Sequence, residues 1–160
     1  MVPSPDRSDA WPTFLELWDR LLSESRAPGT VIVVEGERDV RSLRRLGVDG
    51  PILPLHRGQR LGAVAHRLLG EARRVILLTD WDTEGGHLAH RLQELLAAGG
   101  VEVDLDLRRR LARCVRGEVV HVEGLYGWAR RTAEREGAPL DHFRPIDPDR
   151  DPSDGVAPTG

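Results

Sequence analysis

The sequence predicts an α/β protein in which a parallel sheet of about four strands is flanked by helices, with an extra helix near the N-terminus. Two continuous apolar runs, 31–34 and 75–78, lack polar alternation, which is typical of strands covered on both faces. Stretches with helical spacing of apolar residues separate the predicted strands, which indicates βαβ units with right-handed crossovers. The run 101–105 alternates apolar and acidic residues, so we place that strand nearer an edge of the sheet.

The predicted elements follow one another with few interruptions. Apolar residues recur at helical spacing from position 12 to about 25, and this stripe must pack on the following domain. The predicted strands cover 31–34, about 52–55, 75–79, 101–105 and a short piece at 118–122. Between and after them, helices are predicted over about 37–46, 61–69, 86–98, 107–115 and 125–136.

The chain of 160 residues is long enough for one domain with a sizeable core. We divide it into an N-terminal helical extension (1–29), a main domain that includes the last helix (30–137) and a tail (138–160). The tail is rich in proline and aspartate, so we expect it to have little order.

Composition narrows the classes of protein. The net charge is −3, so no overall basic field indicates nucleic acid, yet all 23 basic residues are arginine, the better bidentate phosphate ligand. Coding bias of a GC-rich genome is the simpler explanation of the missing lysine. The single cysteine, Cys114, excludes an internal disulfide framework and a Cys-rich zinc site, and fits a reducing cytosol. We expect no signal peptide and no membrane span, and hence a cytoplasmic protein.

Acidic residues follow both buried strands at their carboxyl ends. Glu35 follows the first run, and Asp80, Asp82 and Glu84 follow the later one at intervals of two. Residues i and i+2 of an extended chain point to the same side, so these carboxylates would crowd one place unless a cation sits among them. A hard divalent cation such as Mg²⁺ fits oxygen ligands of this kind. The simpler alternative is a polar loop in which Asp82 or Thr83 caps the next helix.

The order of these residues resembles the Toprim domain, which occurs in primases, topoisomerases, recombination mediators, nucleases and ribosomal RNA maturases. That domain has a glutamate after one strand and an Asp-x-Asp pair after a later strand. The matching stretches here are Val33-Val34-Glu35-Gly36 with Asp39, and Leu77-Leu78-Thr79-Asp80-Trp81-Asp82-Thr83-Glu84-Gly85. The resemblance covers about residues 30–123 and is strongest to small stand-alone Toprim proteins, largely archaeal. It implies a Toprim-like (Rossmann-like) fold.

The resemblance also implies roles for the acidic residues. Asp80 and Asp82 would hold one or two Mg²⁺ ions, for which Mn²⁺ can substitute, and Glu35 would complete the site. Glu35 is also the expected general acid or base, since a glutamate beside two aspartates should have a raised pKa. Glu84 is a second-line ligand or proton carrier, although a first-turn carboxylate that complements the helix dipole is an equally good interpretation.

The resemblance implies that nucleic acid, RNA or DNA, is the partner. We predict a Mg²⁺-dependent protein that acts on nucleic-acid phosphodiesters as a nuclease or processing enzyme. The alternatives are a non-catalytic metal-binding adaptor, or nucleotidyl transfer of the primase kind within a larger complex whose protein partner grips the substrate. A self-sufficient primase or a strand-passing topoisomerase is not expected, because the zinc-binding, polymerase and tyrosine-bearing domains of those enzymes do not fit in this chain.

Several arginines and aromatic residues carry weaker predictions. His56, Arg57 and Arg60 lie on a loop after a strand and could face phosphates near the metal, with a solvated loop as the alternative. Trp81 should point away from the aspartates and pack. The remaining basic cluster is expected to be a solvated helix face rather than a nucleic-acid stripe, and comprises Arg108, Arg109, Arg110 and Arg113. His87, His90 and His121 have no spacing that indicates a metal ligand.

Overall fold

The structure is a computed structural model that describes residues 7–56, 58–138 and 143–146. In this part of the chain four parallel strands form one sheet in the order β2-β1-β3-β4. The strands are β1 (Thr30–Val34), β2 (Ile52–Pro54), β3 (Arg74–Leu77) and β4 (Glu102–Asp104). In the register, Ile32 of β1 lies between Ile52 and Ile76. The predicted parallel α/β sheet is confirmed, and β4 is an edge strand as its alternation indicated.

Six α-helices flank the sheet within the described residues. They are α1 (Ala10–Ser25), α2 (Glu37–Arg45), α3 (Leu61–Glu71), α4 (Thr83–Ala98), α5 (Asp106–Cys114) and α6 (Leu125–Arg135). The 3-10 turns Arg7–Asp9 and Val122–Gly124 precede α1 and α6. None of the described helices is both long and apolar enough to cross a membrane.

Both faces of the sheet are buried, which explains why the central strands are continuously apolar. Side chains alternate between faces along a strand. Ile32 and Ile76 belong to a core shared with α1, α2, α5 and α6, whereas Val33 and Val75 belong to a second core shared with α3 and α4. A polar residue in the middle of β1 or β3 would therefore be buried on either face.

The N-terminal helix packs on the domain through aromatic side chains. The Phe14 ring stacks on Trp18 with centroids 5.3 Å apart and meets Trp128 of α6 edge-on at 4.9 Å. The Trp18 indole N–H donates to the Leu46 carbonyl at 2.7 Å, so the extension is joined to the end of α2.

Residues 143–146 differ from the expectation of a tail with little order. Phe143 is buried against Trp11 and Phe14, and the Ile146 amide donates to the Arg44 carbonyl at 2.8 Å. An apolar side chain that fits an aromatic core can order a segment whose neighbours are polar. Residues 139–142 and 147–160 of the predicted tail lie outside the described residues.

Two local predictions were wrong. Residues 118–122 form no strand; instead the Val119 and Val120 carbonyls accept hydrogen bonds from Trp81, which takes the place of a strand partner. Helix α4 begins at Thr83 rather than near residue 86, because the Asp82 side chain caps it.

The direction in which successive strands are added to the sheet reverses between the neighbouring strands β1 and β3, because β2 lies on one side of β1 and β3 on the other. β1 is followed by α2 on one face, and its neighbour β3 is followed by α4 on the other face. In open parallel sheets, ligands bind at such a switch point, outside the carboxyl ends of the strands. Glu35 follows β1 directly and Asp80 stands just beyond β3, so both lie at this position.

Candidate functional site

Glu35 and Asp80 meet at the switch point. The Asp80 backbone amide donates to Glu35 Oε2 at 2.6 Å, although the two residues are 45 positions apart. Hydrogen bonding between β1 and β3 continues past β3, since the Leu78 amide donates to the Val33 carbonyl at 2.8 Å. The pairing of the two strands therefore sets the distance between the two acidic residues.

The Asp80 carboxylate is held by a second segment of the chain, residues 119–122. The Val122 amide donates to Asp80 Oδ1 at 2.9 Å, and His121 Nδ1 lies 3.0 Å from Asp80 Oδ2. The Trp81 indole and backbone N–H groups donate to the carbonyls of Val119 and Val120 at 2.7 and 3.1 Å. Trp81 packs against the core and is itself half-buried, as expected from its position between the aspartates.

Asp82 has two roles in the geometry of the site. Its Oδ1 accepts the Gly85 amide at 2.7 Å and caps α4, while its Oδ2 lies 3.9 Å from His121 Nδ1. The capping interpretation and the metal interpretation are thus compatible, because each uses a different oxygen. Glu84 is exposed in the first turn of α4, where its charge also complements the helix dipole.

Among the described residues, one group of side chains could surround a cation. Single ligand atoms of Asp80, Asp82 and His121 all lie within 4.8 Å of one another. The Asp80 and Asp82 side chains are 14% and 36% exposed, and a pair of partly exposed carboxylates suits a hard divalent cation that keeps several waters. The residues present therefore fit Mg²⁺. Glu35 and Glu84 are not members of this group, so their roles as metal ligands stay predictions.

Burial gives two further carboxyl groups unusual proton affinities. Desolvation raises the pKa of Glu35 to about 7; the nearby Asp80 and Asp82 charges also raise it, against the lowering effect of the Asp80 amide. Desolvation, followed by the Asp80 charge, raises the pKa of Asp39 to about 6. Asp39 is buried and accepts the Gly36 amide at 3.0 Å, which fixes the start of α2 beside Glu35. A glutamate with a pKa near neutrality can exchange protons at physiological pH.

Arg108 holds the loop between β3 and α4, residues 78–82, which we call the acidic loop. The prediction that Arg108 belongs to a solvated helix face was therefore wrong. From α5 its Nε donates to the Thr79 carbonyl at 3.0 Å, and its guanidinium also donates to the Asp80 carbonyl. Burial lowers the pKa of Arg108, against the raising effect of the Glu35, Asp82 and Asp80 charges. Arg109 and Arg110 are exposed, as predicted for that face.

The acidic site opens into a cleft of about 1350 Å³ between the sheet and helices α2, α3 and α4. His56 and Arg60 line the same cleft as the acidic residues, together with Arg38 and Arg91, which the sequence had not indicated. His56 Nε2 lies 3.7 Å from Glu37 Oε1. Arg57 lies outside the described residues.

The sequence offered no signal for His121 and little for Arg108. His121 is 41 positions from Asp80, and Arg108 is 28 positions from it. Neither distance corresponds to a ligand motif or a helical period. Only the folding of α5 and of residues 119–122 around the end of β3 brings them to the site.

Comparison with known proteins also identifies a Toprim domain in this chain. The chain matches the Toprim domain family over residues 30–105. It is 36% identical over 120 residues to a UPF0292 protein of Methanosarcina acetivorans, covering 75% of this chain and 83% of the relative. It is 40% identical over 116 residues to a UPF0292 protein of Pyrococcus furiosus, covering 72% of this chain and 86% of the relative.

A solved structure of a protein from Aquifex aeolicus is also similar. Its sequence is 32% identical, the TM-score is 0.57, and the match covers 68% of this chain and 94% of that one. Toprim domains generally bind Mg²⁺ through acidic residues and act on nucleic acids, and the described part of this chain has an acidic group at the switch point of its sheet. The chain therefore belongs to the UPF0292 family of small Toprim-domain proteins.

Proposed function

We propose that this protein is a Mg²⁺-dependent enzyme that cleaves or processes nucleic-acid phosphodiesters. The observation that carries the proposal is the contact of the Asp80 amide with Glu35 at the switch point of the sheet, beside the group of Asp80, Asp82 and His121 and in a cleft that is also lined by arginines. Phosphoryl transfer depends mainly on positioned charge, and carboxylates with a divalent cation supply it.

Each acidic residue has a separate part in the proposed mechanism. Asp80 and Asp82 would hold the cation, which when bound would supply positive charge beside the phosphoryl oxygens. Glu35 would exchange a proton with the attacking water or the leaving oxygen; burial raises its pKa to about 7 in the metal-free protein. Glu84, which is exposed and lines the same cleft, would be a further carboxylate near the cation.

Exposed arginines in the cleft provide the grip on the substrate. Arg38, Arg60 and Arg91 lie on three different elements and line the same cleft as the acidic site. Arginine binds phosphate bidentately, so these side chains would contact backbone phosphates on either side of the scissile bond. Contacts of this kind would position the substrate backbone and carry no sequence information.

The test is cleavage of labelled single- and double-stranded DNA and RNA with Mg²⁺, with Mn²⁺ and with chelator. We expect Glu35→Gln to lower the cleavage rate about 10²–10⁴-fold and to leave nucleic-acid affinity nearly unchanged, because acid–base catalysis is lost while arginines and metal remain. Glu37→Gln is the matched control, since Glu37 lines the same cleft and is exposed.

The outcomes distinguish the alternatives. Equal losses of cleavage and binding in Glu35→Gln would indicate a collapsed metal site. Binding without cleavage of any substrate by the parent protein would favour the non-catalytic adaptor. Incorporation of added nucleotides in place of cleavage would favour nucleotidyl transfer within a larger complex.

A further inference from the structure

His121 is the one imidazole in the described chain whose ring nitrogen faces both aspartates of the acidic site. Its Nδ1 lies 3.0 Å from Asp80 Oδ2 and 3.9 Å from Asp82 Oδ2. Ligand atoms about 2.1 Å from a single cation stand about 3.0 Å apart at neighbouring octahedral positions and about 4.2 Å apart at opposite ones. Both distances from Nδ1 fall within or close to this range, and single ligand atoms of all three side chains lie within 4.8 Å of one another.

The backbone on both sides of His121 is fixed to the loop that carries the aspartates. The preceding residue, Val120, accepts the Trp81 amide at 3.1 Å, and the following residue, Val122, donates to Asp80 Oδ1 at 2.9 Å. Because the chain is held on both sides, His121 presents its ring to the carboxylates without ordering a free loop. The side chain is 52% exposed, so it serves no purpose in the core.

The donor set differs from one made of oxygen alone. Mg²⁺ takes oxygen ligands and gives up water reluctantly, whereas imidazole nitrogen suits transition metals. We propose that His121 is a ligand of the metal centre, so that the site binds a first-row transition cation such as Mn²⁺ more tightly than Mg²⁺. This inference rests on the proposed function, because it adds a nitrogen ligand to the same centre. In the ligating state the ring is neutral, with its proton on Nε2 and its lone pair on Nδ1.

The experiment uses the full chain and Mn²⁺ as the probe. Mn²⁺ affinity is measured from the electron paramagnetic resonance of the free ion, with Mg²⁺ as competitor, and electron spin echo modulation reports nitrogen-14 bound to the ion. The variants are His121→Ala and His121→Gln. The control is His90→Ala, because His90 is an exposed histidine of α4 that lies 3.1 Å from Glu94.

We expect nitrogen-14 modulation in the parent and in His90→Ala, and its loss in both His121 variants. In His121→Ala, Mn²⁺ affinity should fall about 10–100-fold, by comparison with losses at residues that only support a metal ligand, while Mg²⁺ affinity changes much less. If His121 has only a structural role, its replacement should weaken the binding of both ions alike, and the parent should show no nitrogen-14 modulation.

Two results would overturn the inference. One is Mn²⁺ bound to the parent without nitrogen-14 modulation, and the other is no binding of Mn²⁺ at all. If cleavage with Mg²⁺ persists while the nitrogen signal is absent, the inference fails and the proposed function stands. If the nitrogen signal is present and no nucleic acid is cleaved, the proposed function fails and the ligand assignment stands.

Discussion

At the scale of single residues, the acidic side chains hold the backbone as well as facing the cleft. Asp82 uses one oxygen to cap α4, Asp80 accepts the Val122 amide, and Glu35 accepts the Asp80 amide. A carboxylate held in this way loses little freedom when a cation binds, which favours binding. The consequence for mutagenesis is that each acid must be replaced by a residue that retains its hydrogen bond.

Asp82 allows the capping and metal roles to be separated. Asp82→Asn keeps an oxygen acceptor for the Gly85 amide, so stability without metal should be nearly unchanged. Asp82→Ala removes the cap and should lower the free energy of unfolding by about 1 kcal/mol. Both variants should lose affinity for divalent cations. Chemical denaturation in chelator, beside a metal titration, measures both effects. An Asn variant as unstable as the Ala variant would show that charge rather than the hydrogen bond holds the helix end.

Glu35 should make the stability of the metal-free protein depend on pH. Its pKa rises from 4.5 to about 7 on folding, mainly through burial, so the folded state keeps a proton that the unfolded chain releases. The stabilisation is full below the unfolded pKa and is lost as pH rises through the folded one. Glu35→Gln removes this dependence. The melting temperature of the variant should therefore rise relative to that of the parent as the pH increases from about 5 to about 8. Melting scans in chelator test this, with Glu37→Gln as control; parallel curves for parent and Glu35→Gln would contradict it.

At the scale of elements, the site depends on how closely α4 and α5 approach the loop after β3. The Thr79 hydroxyl donates to the Gly85 carbonyl at 2.7 Å, and a Cβ at Gly85 would stand 1.9 Å from the Asp80 carbonyl oxygen. Only glycine permits this contact. Gly86, the next residue, has nothing nearer to its Cβ position than Arg108 Nη2 at 3.8 Å.

The two glycines make a matched pair for testing this approach. Gly85→Ala should push α4 away from the loop, lower the free energy of unfolding by about 1–3 kcal/mol and weaken metal binding. Gly86→Ala should be neutral or stabilise by up to about 1 kcal/mol, because alanine favours helix. Denaturation curves and Mn²⁺ titrations of both variants provide the measurement. Similar effects of the two substitutions would mean that the close contact at Gly85 has no role.

Arg108 is the connection between α5 and the acidic loop. Arg108→Met retains the apolar stem but leaves the Thr79 and Asp80 carbonyls without their guanidinium donor, so we expect a loss of about 1–3 kcal/mol. Arg109→Met, on the exposed side of the same helix, should change stability by less than about 0.5 kcal/mol. Equal stabilities of the two variants would show that solvent replaces the Arg108 contacts at no cost.

At the scale of the whole molecule, a charged network joins the N-terminal extension to the sheet. Asp104 Oδ2 at the end of β4 accepts from Arg20 of α1 at 3.0 Å and from Arg74 of β3 at 2.7 Å. The Asp104 side chain is only 6% exposed, and its Oδ1 accepts the Leu107 amide at the start of α5. Elements α1, β3 and α5 therefore all contact one buried carboxylate. This network contains none of the residues of the acidic site.

Asp104→Ala should lower the free energy of unfolding by about 1–3 kcal/mol, because Arg20, Arg74 and the Leu107 amide lose a buried acceptor, although Glu24 still pairs with both arginines. Glu102→Ala is the matched control: Glu102 also lies near Arg74, at 3.6 Å, but is 75% exposed and should contribute less than about 1 kcal/mol. Metal affinity should be unchanged in both variants. Urea denaturation of the two variants measures these losses of stability. An Asp104→Ala variant as stable as the parent would show that the network does not stabilise the fold.

Much of the fold and part of the site could be predicted from the sequence because they depend on local pattern. Continuous apolar runs indicate strands buried on both faces, and the carboxyl ends of parallel strands share one edge of the sheet. Glu35 follows β1 directly, and Asp80 and Asp82 lie in the short loop between β3 and α4, so their position at the same edge of the sheet follows from the topology.

Tertiary structure alone decided the remainder of the site. His121 and Arg108 reach Asp80 through segments 41 and 28 positions away, and no local period records such a contact. The run 118–122 has the composition of a strand, yet its carbonyls accept the N–H groups of Trp81 instead of a neighbouring strand. Side-chain pattern determines which face of an element is buried, whereas the partner of an exposed donor or acceptor depends on which distant segments the packed core brings within hydrogen-bonding distance.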